Sequence, residues 1–111
     1  MKFWYSIQSN ELDNSNNAYA LPTFSSSITY AKQTKGQITL SSGTVWETIN
    51  LGNVVTGKSL YLIANDIINI QIDGKQHNNT QNILFTLDFS SLAIQNNSGS
   101  DVTIQYFIYG N

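Results

Sequence analysis

The sequence predicts a single all-β domain, an antiparallel β-sandwich of jelly-roll or Greek-key type. Three observations predict it. Ile, Val, Thr, Tyr and Phe dominate the apolar runs, and several runs alternate with a period of two. Gly, Asn, Asp and Ser interrupt those runs at short, regular intervals. No long segment keeps apolar residues at i, i+3, i+4 and i+7, so there is no helix to carry a parallel crossover. The 111 residues fit one domain spanning 1–111 and are enough for one core without disulfides or metals.

The elements follow in chain order. Lys2 to Gln8 reads as the first strand. Asn10 to Asn17 is polar and turn-like, so residues 1–20 read as an arm, or as an edge strand followed by a loop. Thr23 to Ala31 alternates, with Phe24, Ile28 and Tyr30 on one face. Lys35-Gly36 reads as a turn into a strand Gln37 to Ser41, and Ser42-Gly43 as a turn into Val45 to Leu51. Gly52-Asn53 and Thr56-Gly57 bracket the next turn. Ser59 to Ala64 is a continuous apolar run, as in a buried strand, and Asn65-Asp66 reads as a short turn. Ile68, Ile70 and Ile72 alternate with polar residues, and Asp73-Gly74 is a hairpin signal. Lys75 to Gln81 reads as polar loop. Ile83, Phe85, Leu87 and Phe89 alternate in the next strand, followed by Leu92 and Ile94. Asn96-Asn97-Ser98-Gly99 is a strong turn. In the last strand Val102, Ile104, Tyr106 and Ile108 alternate, with Phe107 and Tyr109 on the other face.

Composition narrows the function. Charged residues make up only 11% of the chain, and the net charge is −2. A polar but charge-poor surface repels copies of itself weakly, which suits a protein that works inside an assembly. All five basic residues are scattered lysines, with no Arg to make bidentate contacts to phosphate or guanine, which argues against nucleic-acid binding. The absence of cysteine removes disulfide scaffolds, thiolate nucleophiles and cysteine zinc sites. No secretory leader or membrane-spanning stretch is evident, so the two matches to the glycosylation sequon, at Asn78 and Asn96, carry little weight.

Gly52-Asn53-Val54-Val55-Thr56-Gly57-Lys58-Ser59 matches the phosphate-binding P-loop pattern. A P-loop needs a helix to begin at its Lys-Ser, because the helix amides hold the phosphates. Leu60-Tyr61-Leu62-Ile63-Ala64 is strand material instead, so the segment reads as a turn between strands and Lys58 as a solvated edge lysine. His77, the single histidine, lies in a polar segment with no second ligand nearby. Asp66, Asp73, Asp88 and Asp101 fall at strand ends and turns, where Asp hydrogen-bonds its own backbone. These residues predict no catalytic group, no cofactor and no bound metal.

The aromatic residues Trp4, Tyr5, Trp46, Tyr61, Phe107 and Tyr109 are more informative, since exposed aromatics anchor protein contacts or stack on sugars. With Phe3, Tyr5 and Ile7 inward, Trp4 is left outside. With Val102 to Ile108 in the core, Phe107 and Tyr109 point away from it. Trp4, Phe107 and Tyr109 are therefore the candidate interface residues.

The segments Leu60 to Gly74 and Ile94 to Gly110 resemble small virion structural proteins of tailed bacteriophages. The first carries Leu60-Tyr61-Leu62, Asn65-Asp66, an alternating strand and Asp73-Gly74. The second is a final strand ending in Tyr109-Gly110. The likeness covers the second half of the chain. It implies a β-sandwich repeated around a symmetry axis of a phage particle, made in the bacterial host cytoplasm and resident in the virion. The resulting expectation is a non-enzymatic capsid decoration or cement protein, or a tail or neck component. It would bind itself, as a homotrimer at a threefold site, and other virion proteins such as the major capsid protein, but no nucleic acid or membrane. The alternative is a carbohydrate-binding module, such as part of a receptor-binding fibre. A nucleotide site at Gly52 to Ser59 is a third reading.

Overall fold

The computed structural model describes residues 1–7, 10–12, 18–20 and 24–111, with side chains for 1–6 and 26–111. Gln8, Thr23 and residues 13–17, all within expected segments, lie outside the described residues. The described residues hold ten strands and no helix: β1 Lys2–Ile7, β2 Asn10–Leu12, β3 Ala18–Ala20, β4 Phe24–Thr29, β5 Lys32–Leu40, β6 Glu47–Thr48, β7 Gly57–Ile72, β8 Lys75–Phe85, β9 Leu92–Gln95 and β10 Val102–Gly110. Every strand pair is antiparallel. The chain is thus all-β and antiparallel, as its residue pattern predicts.

The strands form one six-stranded sheet and two two-stranded ribbons, β1–β4 and β2–β3. The large sheet is built on the β7–β8 hairpin. Its turn is Asp73-Gly74, with φ of 50° and 80°, the double positive φ of a type I′ turn. β8 runs along one edge of β7. The other edge is shared: Ser59 to Ala64 pair with β10, and Asn69 to Ile72 pair with β9. β5 extends the β10 arm and β6 the β9 arm. Even-numbered residues of β7 face inward in both halves, from Leu60, Leu62 and Ala64 to Ile68, Ile70 and Ile72. They join Leu92, Ile94, Val102, Ile104 and Ile108 in one buried aliphatic cluster. The sheet therefore curls, and the core sits inside the curl.

Several local expectations are corrected. Lys35-Gly36 is no turn but the middle of β5. Gly36 lies opposite Tyr106, and a Cβ there would overlap the Tyr106 ring, so the glycine makes room for a cross-strand aromatic. Asn65-Asp66 does not end a strand. It is a register shift inside β7, held by Asn65 Oδ1 accepting from Thr103 N at 3.0 Å and Asp66 Oδ1 accepting from Ile67 N at 2.7 Å. This irregularity falls where β7 changes partner from β10 to β9. Lys75 to Gln81 is strand rather than loop. Its residues are almost all exposed, so no inward-outward alternation marks it, and pairing with β7 alone holds it. Val45 to Leu51 shrinks to the two residues of β6, with Val45 exposed and Ile49 buried. The alternation from Ile83 to Phe89 is interrupted after Phe85. Leu87 is exposed, while buried Phe89 exchanges two backbone hydrogen bonds with Gly57.

The Asn96 to Gly99 turn is held from within. Buried Asn96 donates from Nδ2 to Leu40 O at 2.8 Å and Ser100 O at 2.7 Å, and its Oδ1 accepts from Ser98 N and Ser98 Oγ. This fastens the β9–β10 turn to the end of β5. Asp73 makes a second clasp. Its Oδ1 accepts from the amides of Ser90 and Ser91 at 2.8 and 2.9 Å, fixing the hairpin turn to the entry of β9.

Candidate functional site

The convex face of the β10 arm is aromatic at one end and polar at the other. Pairing register sets this gradient. In one row across the sheet lie Lys35, Phe107, Tyr61 and Leu84, from β5, β10, β7 and β8. The Phe107 and Tyr61 rings are 5.8 Å apart, centroid to centroid. Toward the end of β10 the next row holds Tyr109. In the opposite direction come Gln37 and Gln105, joined side chain to side chain at 3.3 Å, and then Thr39 and Thr103 at 3.2 Å. A shallow groove of about 390 Å³ lies at this polar end, lined by Ile63, Ala64, Asn65, Thr103 and Gln105.

The β1–β4 ribbon lies against the aromatic end. Strand alternation gives β1 two faces. Phe3 and Tyr5 are half-buried, and Phe3 stacks on Tyr109 with centroids 4.5 Å apart. Tyr30, just after β4, meets Tyr109 at 4.8 Å. Burial pushes the Tyr109 phenol up from its ordinary pKa, and Tyr30 adds to the shift. Trp4, on the other face of β1, is 67% exposed, with the Lys2 ammonium 5.8 Å from its ring centroid. Between ribbon and sheet remains a groove of about 250 Å³, lined by Phe3, Trp4, Tyr5, Ser6, Tyr61 and Leu84.

The three candidate interface residues thus have different surroundings. Trp4 stands exposed at the groove. Phe107 is half-buried beside Tyr61, at the foot of the same aromatic face. Tyr109 is buried within the chain beneath Phe3 and Tyr30. Trp46 is half-buried. Sequence reasoning placed Tyr61 in a continuous buried run, whereas it points outward and is 38% exposed. Its position between Leu60 and Leu62 carried the signal, since a strand that buries both must turn Tyr61 the other way. Leu84 was missed for the same reason, lying between inward-facing Ile83 and Phe85.

The remaining candidates are dispersed. The Gly52 to Ser59 pattern runs through a turn into β7, which begins at Gly57, so no helix N-terminus meets Lys58. Lys58 faces Asp88 at 3.4 Å on the surface. His77 is exposed on β8, opposite Ile70. Among the described residues no three His, Cys, Asp or Glu side chains come together as a metal site. Compared with known proteins, the chain matches no family model, no curated protein and no solved structure.

Proposed function

We propose that this chain is a non-catalytic structural subunit that acts through protein–protein contacts, and that its setting is a bacteriophage particle, as a capsid decoration or cement protein. The observation that carries the assembly part is the exposed Trp4 at an aromatic groove, on a chain with very few surface charges. A monomer would leave this apolar edge in water, and burying a Trp side chain is worth about 2–3 kcal/mol by area. The phage setting rests on the resemblance of residues 60–74 and 94–110 alone. Homotrimerisation and contact with a major capsid protein follow from that setting, since a threefold site repeats one contact three times. Analytical ultracentrifugation of the purified chain tests the assembly reading. A concentration-dependent oligomer, weakened by Trp4→Ser with the fold intact, is expected. A strict monomer that also fails to bind phage capsids would overturn it.

The second reading is glycan binding at the same groove, favoured by the exposed Trp4 ring beside Tyr61, which could stack on a sugar. Among the described residues no Asn or Asp lines the groove to bond sugar hydroxyls, so protein contact is the better-supported reading. A glycan array with hits lost in Trp4→Ala would reverse that preference.

A further inference from the structure

The ribbon and the sheet meet in an unusual way. Among the described residues, no strand of the ribbon pairs with a strand of the six-stranded sheet. The ribbon's own ladder runs from Lys2–Thr29 to Ile7–Phe24. Its covalent link to the sheet is the joint Tyr30-Ala31, where Tyr30 N donates to Met1 O and Ala31 N donates to Gly110 O. The first bond belongs to the ribbon and the second to the sheet. A rotation at the joint would therefore move the ribbon as a body and break no strand pair. Among the described contacts it would break the ring contacts of Phe3 and Tyr30 on Tyr109.

The face so uncovered could not stay bare. It carries Tyr61, Leu84, Phe107 and Tyr109, which the pairing register sets side by side as an apolar strip. The ribbon's fit in its own chain is also incomplete, since a groove of about 250 Å³ remains between them. A detachable, self-complementary element on a short joint is the geometry of segment exchange between identical chains.

We propose that the β1–β4 ribbon is an exchangeable arm, which in the assembly seats Phe3 and Tyr5 on the Tyr61–Leu84–Phe107–Tyr109 face of a second copy. This rests on the assembly reading above and names its partner surface. The contacts in trans are those made in cis, so local concentration decides between them. Trp4, on the ribbon's other face, travels with the arm and lies at the junction between copies.

The test places the photo-crosslinker p-benzoylphenylalanine at position 3 in the full chain. Isotopically heavy and light batches are unfolded, mixed, refolded and irradiated at a concentration where sedimentation shows the oligomer. Crosslinked peptides are then read by mass spectrometry. Exchange predicts crosslinks from residue 3 to the 102–110 strand with mixed-isotope pairs as abundant as like-isotope pairs. Like-isotope pairs alone, in a sample shown to be oligomeric and to have mixed its subunits, would overturn the exchange while leaving the assembly reading standing. A monomer at every concentration would overturn the exchange, and the assembly reading with it if the chain also fails to bind phage capsids. Should the position-3 variant not fold, the crosslinker at Tyr5, read against the Tyr61 and Leu84 peptides, gives the same discrimination.

Discussion

The curled sheet and the N-terminal ribbon are both antiparallel β-structure, but they are held by different forces. The sheet has ladders between β5, β10, β7 and β8, and between β7, β9 and β6, around an aliphatic core with Leu60, Leu62, Ile70, Ile94 and Ile104 fully enclosed. The ribbon has one ladder of its own and rests on the sheet through aromatic rings. Apolar burial and backbone pairing reinforce one another in the sheet, so its parts should unfold together. The ribbon lacks that coupling and should open at lower cost. The molecule therefore has a stable platform and a weaker cover, and the proposed assembly contact lies on the cover.

The largest expected effect is in the platform. Leu62→Ala or Ile104→Ala should destabilise global unfolding by about 2–5 kcal/mol, because each leaves a cavity in a closed core. Denaturant unfolding with an unchanged m-value measures it, and a loss under 1 kcal/mol would show that the curl repacks freely. Next comes Asn96→Ala, which removes the buried amide that donates to Leu40 O and Ser100 O and accepts from Ser98. A loss of about 1–3 kcal/mol is expected from these lost hydrogen bonds, again by denaturant unfolding.

The ribbon gives a smaller and more local effect. Phe3→Ala removes the stack on Tyr109 and should cost about 1–2 kcal/mol. Hydrogen exchange should show lost protection at the β1 and β4 amides while those of β7 and β10 barely change. Equal loss across both regions would mean that ribbon and sheet form one cooperative unit, and the comparison above would fail.

The smallest effect is the Asp73 clasp. The Ser90 amide lowers the Asp73 carboxyl below its ordinary value; desolvation opposes it, and the Ser91 amide and both serine hydroxyls add to the lowering. A depressed folded-state pKa stabilises the protein above the unfolded pKa, about 3.9. That contribution is lost as pH falls from there through the lower folded value. Between about pH 5 and pH 2 the melting temperature of the native chain should fall more steeply than that of Asp73→Asn. Parallel curves would show that the clasp does not depend on charge.

The sequence by itself determined the all-β class, the inward Ile68, Ile70 and Ile72 of β7 and the inward residues of β9 and β10, the Asp73-Gly74 hairpin and the outward direction of Trp4. Each follows from a local rule: alternation assigns faces, and adjacent Asp and Gly accept positive φ. Only the tertiary structure decided the rest. Lys75 to Gln81 became strand because the free edge of β7 paired with it, a fact absent from its polar residues. Gly36 stayed in β5 because Tyr106, seventy positions away, needed its space. Asn65-Asp66 became a bulge because β7 serves two partners on one edge. The aromatic face was half legible. Phe107 and Tyr109 were seen to point away from the core, but not that Phe3 of the first strand would stack on Tyr109. Alternation says which way a side chain points. What it meets there depends on contacts between residues far apart in the chain, and no local pattern encodes those.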